Sequence, residues 1–168
     1  IQEHSHMVAV LAHALGVIRR DIFHQPCDVN ALATAALYHD ASEILTGDLP
    51  TPIKYHNAEI MSAYHAVEDL AVQKLLGMLP PELRETYADV LAEDKDGDIY
   101  PLVKAADKLS AYIKCIEERK AGNNEFLSAE AQTRAALEAS PLPEVQYFLE
   151  HFIPAFERDL DELGAIGQ

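Results

Sequence analysis

The sequence predicts an all-α fold, a single-domain helical bundle of about six to eight helices over residues 1–168. Apolar residues recur at spacings of three and four along most of the chain. No stretch alternates apolar and polar residues for long enough to indicate a strand. Hydrophobic residues make up 49% of 168 residues, which is enough to bury a core within one domain.

The first two helices are predicted on either side of Gln25-Pro26. The first runs from Glu3 to Phe23 and carries apolar residues at helical spacing, namely Met7, Val8, Val10, Leu11, Ala14, Leu15 and Ile18. Asp28 is a good N-cap for the second, from Val29 to about Tyr38, which is rich in Ala and Leu and is expected to be buried all round. Residues 41–45 either extend this helix or form a separate short turn.

Proline and glycine delimit the later helices. Residues 47–52 are expected to form a loop, since they contain Gly47, Pro50 and Pro52. The helices predicted after it span Asn57 to Leu79, Glu82 to Ala92, Pro101 to about Gly122, Ser128 to Ala139, and Glu144 to about Leu163 with a bend at Pro154. The expected apolar stripe of the first of these helices includes Val67 and Leu70.

The composition excludes some classes of partner. The formal net charge is −15, from 28 acidic and 13 basic residues, so a nucleic-acid polymer or an anionic membrane surface would be repelled. No apolar run approaches the roughly 20 residues that span a bilayer. The two cysteines, Cys27 and Cys115, are far apart and favour a reduced, cytoplasmic protein, although one disulfide stays open. A small anionic substrate remains compatible with this charge, because a bound cation can reverse the field locally.

Residues 38–50 contain the densest group of metal-binding side chains. His39 and Asp40 are adjacent and follow the apolar run Ala31–Leu37, so they can supply two ligands from one turn of backbone. Glu43 follows three or four residues later, on the same side of any helix that continues through them. The stretch predicts a metal site with a spare acidic group.

Two further residues extend this group into a possible ligand set. His4 lies near the start of the first helix and Asp107 lies inside a later one. Either residue alone has an ordinary explanation: a surface or capping histidine, and an aspartate at the edge of an apolar stripe that pairs with Lys104 or Lys108. Together with His39 and Asp40 they give two imidazoles and two carboxylates, a set suited to Mn, Co, Fe, Ni or Zn.

The ordered motifs resemble a known superfamily. Glu3-His4-Ser5, then His39-Asp40, then the segment 104–109 (KAADKL) resemble the H…HD…D signature of the HD-domain metal-dependent phosphohydrolases. Residues 38–55 and 121–127 resemble two blocks of the bacterial 5′-deoxynucleotidases of the YfbR type. The likeness covers almost the whole chain, and its two long blocks are much more specific than an HD pair alone.

This resemblance implies roles for six residues. The metal ligands would be His4, His39, Asp40 and Asp107; Glu43 would be the acidic residue required for catalysis; Asp48 would be a substrate-binding residue close to the sugar. It also implies hydrolysis of deoxyribonucleoside 5′-monophosphates, a cobalt or manganese cofactor (with Zn, Ni, Fe or Mg as alternatives) and a homodimer.

One family feature is missing from the sequence. The family carries a phosphate-binding arginine and a tryptophan upstream of the first metal histidine, but this chain begins three residues before His4 and contains no Trp. We expect that the natural N-terminal segment is absent, so the deoxyribose preference rests on the resemblance alone. Two alternatives remain: another HD phosphohydrolase, acting as a nucleotide phosphodiesterase or triphosphohydrolase, and a non-catalytic nucleotide-sensing module.

Overall fold

The computed structural model describes residues 1–49, 53, 56–92, 97–159 and 161–162, and within these ranges the chain is all-α, as predicted, with no strand. The helices are α1 Gln2–Val17, α2 Val29–Tyr38, α3 Glu43–Thr46, α4 Ala58–Gly77, α5 Arg84–Leu91, α6 Tyr100–Lys120, α7 Leu127–Glu138, α8 Pro143–His151 and α9 Ile153–Phe156. A π-helical turn, Ile18–Ile22, continues α1, and a short 3₁₀ turn, Pro81–Leu83, precedes α5.

Helix α6 is the centre of the bundle. It buries apolar side chains on several sides, including Leu102, Val103, Ala106, Leu109, Tyr112, Ile113 and Ile116. Helix α1 packs against both α6 and α2. The buried residues of these helices join those of α8 in one continuous core.

A glycine allows α1 and α2 to approach closely. A Cβ added at Gly16 would lie 2.9 Å from Leu32 Cδ2 and 3.3 Å from Val29 Cγ2. Any larger side chain would therefore force the Leu32 and Val29 side chains to shift. This close contact lies between α1, which carries His4, and α2, which His39 follows.

Helix α2 has the predicted start but not the predicted burial. The Asp28 side chain accepts a hydrogen bond from Ala31 N at 2.9 Å, which confirms the N-cap. The expectation that this helix is buried all round is wrong, because only Val29, Leu32 and Ala36 are buried. The opposite face, which includes Leu37, is in solvent because the described part of the bundle covers α2 mainly on the side of α1 and α6.

Helices α4 and α5 form an outer layer with little burial. Asn57 caps α4 by accepting a hydrogen bond from Ile60 N at 2.8 Å. Ala71 and Leu76 are the buried residues of α4, and α5 has none. The apolar stripe predicted on α4 is therefore wrong in part: Val67 and Leu70 are exposed, since α4 turns a different face inward.

The C-terminal segment is broken rather than bent. We expected one helix from Glu144 to about Leu163, but α8 ends at His151 and α9 begins at Ile153. Pro154 lies in the first turn of α9, where its missing N–H costs nothing. Phe148 is buried and stacks on Phe152 at a ring distance of 4.9 Å. Leu163 itself lies outside the described residues.

A buried ion pair joins the end of α1 to α8. Arg19, in the π-helical turn, donates from Nε to Glu144 Oε1 at 2.5 Å. The Glu144 side chain is fully buried and the Arg19 side chain is 14% exposed. The pair fixes the C-terminal end of α1 against the first turn of α8.

Candidate metal centre

Three helices bring the four predicted ligands together. His4 lies in the first turn of α1, His39 and Asp40 follow the last turn of α2, and Asp107 lies in the middle of α6. His4 Nε2 is 3.4 Å from Asp40 Oδ2 and 3.2 Å from Asp107 Oδ1. One ligand atom each from His4, His39 and Asp40 lies within 4.8 Å of the others, and Asp107 joins this group through His4.

His39 is oriented by the backbone of its own helix. Its Nδ1 lies 2.7 Å from the carbonyl oxygen of Ala36, so Nδ1 carries the proton that is donated to that oxygen. In the neutral ring Nε2 then has a lone pair, and this atom has no hydrogen-bond partner among the described residues although the His39 side chain is only 2% exposed. Anchoring of one ring nitrogen with the other left available is the usual arrangement of a metal-binding histidine.

The carboxylate of Asp40 lies directly opposite this nitrogen. Asp40 Oδ2 is 3.1 Å from His39 Nε2, and both are acceptors when the histidine is neutral. Two acceptors at this distance repel unless a cation or a proton lies between them. The buried, unpartnered nitrogen and the donor set of two imidazoles and two carboxylates therefore fit a divalent cation.

The pKa values of His4, Asp40 and His39 also reflect the close approach of imidazole and carboxylate groups. Hydrogen bonds that His4 donates to Asp107 and to Asp40, in that order of size, raise the pKa of His4 to about 10. Burial raises the pKa of Asp40, but the two histidines outweigh it and hold that pKa below its usual range. Burial likewise lowers the pKa of His39, and the neighbouring Asp40 more than offsets it. Without a metal, a proton on His4 offsets part of the negative charge of the two carboxylates.

Ser110 is a supporting residue that the sequence did not indicate. This buried serine lies one turn after Asp107 on α6, and its Oγ is 3.4 Å from His4 Nδ1. It contacts the nitrogen of His4 that faces away from the two carboxylates. Its spacing of three residues from Asp107 is the only sequence signal for it, and a serine at that spacing is too common to be informative.

Glu43 and Asp48 lie beyond the four-residue cluster. The chain turns sharply after α2, with Glu43 N donating to Asp40 O at 3.0 Å, so Glu43 begins the short helix α3 close to the cluster. The short helix Glu43–Thr46 is thus separate from α2, which is one of the two alternatives left open by the sequence for residues 41–45. Asp48 is exposed and follows Gly47, whose φ of 71° lets the chain reverse.

A cavity of about 790 Å³ opens beside the cluster. One end contains His39, Asp40 and Asp107. Tyr100, Lys104 and Lys108 of α6 line one wall, and Met61, His65, Glu68 and Asp69 of α4 line another. Neither Glu43 nor Asp48 is among the described residues that line it. The volume is of the size that holds a small-molecule ligand.

Comparisons with known proteins relate the chain to named phosphohydrolases. The profile of the family described as 5′-deoxynucleotidase YfbR-like matches residues 1–156. Proteins named 5′-deoxynucleotidase YfbR from Shigella flexneri serotype 5b and Escherichia coli K12 are 49% identical over 165 residues, covering 98% of this chain and 83% of each relative. A solved structure of an HD-domain phosphohydrolase from Listeria innocua is 28% identical, with a TM-score of 0.80 over 92% of this chain and 75% of that one. Among the described residues, no helix is both long and apolar enough to cross a membrane.

Proposed function

The chain belongs to the 5′-deoxynucleotidase YfbR-like family, and from this premise we propose that it hydrolyses deoxyribonucleoside 5′-monophosphates to deoxynucleoside and phosphate. It is a phosphohydrolase with the HD-domain fold. The observation that carries the proposal for this chain is the buried Nε2 of His39, which has no hydrogen-bond partner among the described residues and lies in a group with His4 and Asp40 that Asp107 joins through His4.

We assign His4, His39, Asp40 and Asp107 as the ligands of one divalent cation. When bound, such a cation neutralises phosphate charge and lowers the pKa of water, which makes a nucleophile available near neutral pH. The chain's own residues have to hold the phosphate so that the attacking oxygen and the leaving 5′ oxygen lie in line with the phosphorus atom. Cobalt or manganese is the proposed cation, with Zn, Ni, Fe and Mg as alternatives.

Glu43 is the proposed catalytic acid or base. Its carboxylate belongs to the turn that follows Asp40, so it can move a proton at the attacking water or at the leaving 5′ oxygen. Asp48, in the loop after α3, is proposed to accept a hydrogen bond from the sugar. Both roles stay predictions.

Phosphate release from deoxyribonucleoside monophosphates tests this function. We expect cobalt- or manganese-loaded protein to release phosphate from dAMP faster than from AMP, and no release with a chelator present. Glu43→Ala should lower turnover about a hundredfold or more while bound metal stays at wild-type content. Phosphate release that does not depend on metal, or loss of metal in Glu43→Ala, would contradict these assignments.

We also propose that the protein is a homodimer located in the cytoplasm. The free cysteines Cys27 and Cys115 are consistent with a reducing compartment. The exposed Val67 and Leu70 on α4 provide an apolar surface of the kind that a second copy covers. Light scattering of wild type and Leu70→Lys checks the dimer: a dimeric mass for wild type is expected, and a monomeric mass at micromolar concentration would contradict it.

A further inference from the structure

The two histidines of the proposed metal centre are constrained to different degrees. The His39 side chain is 2% exposed, and its Nδ1 lies 2.7 Å from the Ala36 carbonyl oxygen. The His4 side chain is 36% exposed, and its Nδ1 lies 3.4 Å from Ser110 Oγ. In both rings Nδ1 faces a protein group while Nε2 faces a carboxylate oxygen. His4 is the less constrained of the two, so its orientation depends more on each contact of its ring.

Helix α6 contacts both nitrogens of the His4 ring. Asp107 Oδ1 lies 3.2 Å from Nε2, and Ser110 Oγ lies 3.4 Å from Nδ1. Asp107 and Ser110 are separated by about one helical turn, so their side chains lie on the same face of α6. The ring of a residue on α1 is therefore placed between two side chains of the central helix.

The part of α6 that carries Ser110 is well packed. Its neighbours Ala106, Leu109 and Ile113 are almost fully buried, and Ser110 itself is 6% exposed. A hydroxyl at such a position loses its hydrogen bonds to water, which costs free energy unless a protein group replaces them. Among the described residues, His4 is the hydrogen-bond partner of this hydroxyl. Ser110 thus presents a fixed polar atom to His4 from otherwise apolar surroundings.

The direction of this hydrogen bond follows from the role of Nε2 of His4. When Nε2 binds a cation its lone pair is used, so the proton of the neutral ring is on Nδ1. Nδ1–H then donates to Ser110 Oγ, and the serine favours the tautomer in which Nε2 is available. A serine hydroxyl can also donate, so this preference is weaker than the one that the Ala36 carbonyl imposes on His39.

We propose that Ser110 is a positioning residue that orients His4 for metal binding, through a hydrogen bond from His4 Nδ1 to the Ser110 hydroxyl. This inference rests on the proposed function, because it concerns a ligand of the proposed cation. In this role the serine contacts neither the cation nor the substrate and acts through His4. The central helix then supplies one ligand, Asp107, and sets the orientation of another.

The affinity of the whole chain for cobalt tests the inference. Competition with a chromogenic chelator gives the Kd for the cobalt ion in wild type and in Ser110→Ala. The substitution should raise this Kd about ten- to a hundredfold, the usual consequence of removing the partner of a metal-bound histidine. Alanine is a better helix former than serine, so α6 should stay folded, and circular dichroism of both proteins checks this. Unchanged cobalt affinity in Ser110→Ala would overturn the inference.

Ser5→Ala is the matched control. Ser5 is also 6% exposed and lies next to His4 on α1, but within the described part of the chain its hydroxyl makes no hydrogen bond with a proposed ligand. The same atoms are removed from an equally buried position, so the cobalt Kd should match that of wild type. A loss of affinity as large as that of Ser110→Ala would show that any buried serine near the site has this effect, and the inference would be wrong.

A double-mutant cycle shows whether Ser110 acts through His4. In a His4→Ala background, Ser110→Ala should change the cobalt Kd by less than about twofold, because the ring that the serine orients is already gone. If the loss were as large in this background as in wild type, Ser110 would act on the site by another route, which contradicts the proposal.

Proton NMR of zinc-loaded protein reports on the hydrogen bond itself. The Nδ1–H proton of His4 should exchange with water more slowly in wild type than in Ser110→Ala, since an accepted proton is protected. Equal exchange rates in the two proteins would mean that the hydrogen bond is absent from the metal-bound form.

The dependence of cobalt affinity on His4 separates this inference from the proposed function. Cobalt affinity that does not change in His4→Ala would overturn the ligand assignment, and this inference with it. Affinity that depends on His4 but not on Ser110 would overturn this inference alone. If wild type released no phosphate from dAMP while its cobalt Kd still depended on Ser110 through His4, the proposed activity would be wrong and the role of Ser110 would stand.

Discussion

The inner and outer parts of the bundle differ strongly in packing. Helices α1, α2 and α6 share one core, in which residues such as Val8, Leu32 and Leu109 are fully buried. In the outer layer, α4 buries Ala71 and Leu76 and α5 buries none of its residues. The four proposed ligands belong to the inner part, whereas α4 provides a wall of the cavity.

This difference in packing suits two different functions, metal binding by the inner part and substrate access through the outer layer. Metal ligands have to be held within a fraction of an ångström, and rigid, well-packed helices achieve that. A substrate wall has to admit and release a ligand, and elements with little buried apolar surface open at low free-energy cost. The difference suggests that the chemistry depends on the inner core and that access depends on the outer layer.

The largest effect should come from removing a proposed ligand in the inner part. Asp40→Asn should lower phosphate release from dAMP by about a thousandfold or more, because the cation supplies several kcal/mol of transition-state stabilisation. His65→Gln, on the outer wall, should change turnover far less. Metal analysis and steady-state kinetics of both variants check the contrast. Similar losses of turnover in both variants would show that the inner and outer parts of the bundle do not differ in their importance for the chemistry.

The next largest effect concerns the buried ion pair. Arg19→Met should reduce the free energy of unfolding by about 3–5 kcal/mol, because it leaves the fully buried Glu144 carboxylate uncompensated. Adding Glu144→Met to this variant should restore part of the loss. Urea unfolding of the single and double variants measures both changes. An additive, larger loss in the double variant would show that packing, not charge, dominates there.

A matched pair of truncations tests the packing contrast directly. Leu109→Ala removes a fully buried side chain from α6 and should cost about 2–5 kcal/mol. Met78→Ala, at the exposed end of α4, should change stability by no more than about 0.5 kcal/mol. Both values come from denaturant unfolding. A cost above 2 kcal/mol for Met78→Ala would mean that the outer layer is more tightly packed than its exposure indicates.

The smallest effect should come from the caps. Asn57→Ala and Asp28→Ala each remove one side-chain hydrogen bond to a helix N-terminus and should cost about 1 kcal/mol. Hydrogen exchange sharpens the comparison, since the Asn57 change should accelerate exchange within α4 and leave α6 protected. Equal acceleration in both helices would instead indicate that α4 and α6 unfold as one unit.

Much of the fold follows from local signals. The all-α class, the Asp28 cap and the end of α6 near Gly122, whose φ is 86°, were predicted correctly because each depends on neighbouring residues. The predictions that failed concern burial and continuity: α2 is not covered all round, Val67 and Leu70 are exposed, and the chain breaks at Phe152. Periodicity identifies an apolar face, but it does not specify whether another helix covers that face.

The candidate site likewise has features that follow from the sequence and features that depend on tertiary packing. Adjacency in the sequence is sufficient to place His39 beside Asp40, because consecutive residues cannot separate by more than one peptide unit. The resemblance to HD phosphohydrolases selected His4 and Asp107, and the close packing of α1 on α2 at Gly16 and on α6 brings them to the same point. The sequence did not predict the contact of His39 with the Ala36 carbonyl or that of His4 with Ser110. It also did not predict that Lys104 and Lys108 line the cavity.

The sequence by itself determined the helical class, the donor types and their order along the chain. Only the tertiary structure decided that His39 Nε2 is buried without a hydrogen-bond partner among the described residues, and that helices α4 and α6 line one cavity beside it. The physical reason is that distance and dielectric environment depend on which helices pack together, and that choice is made by many weak contacts between distant residues.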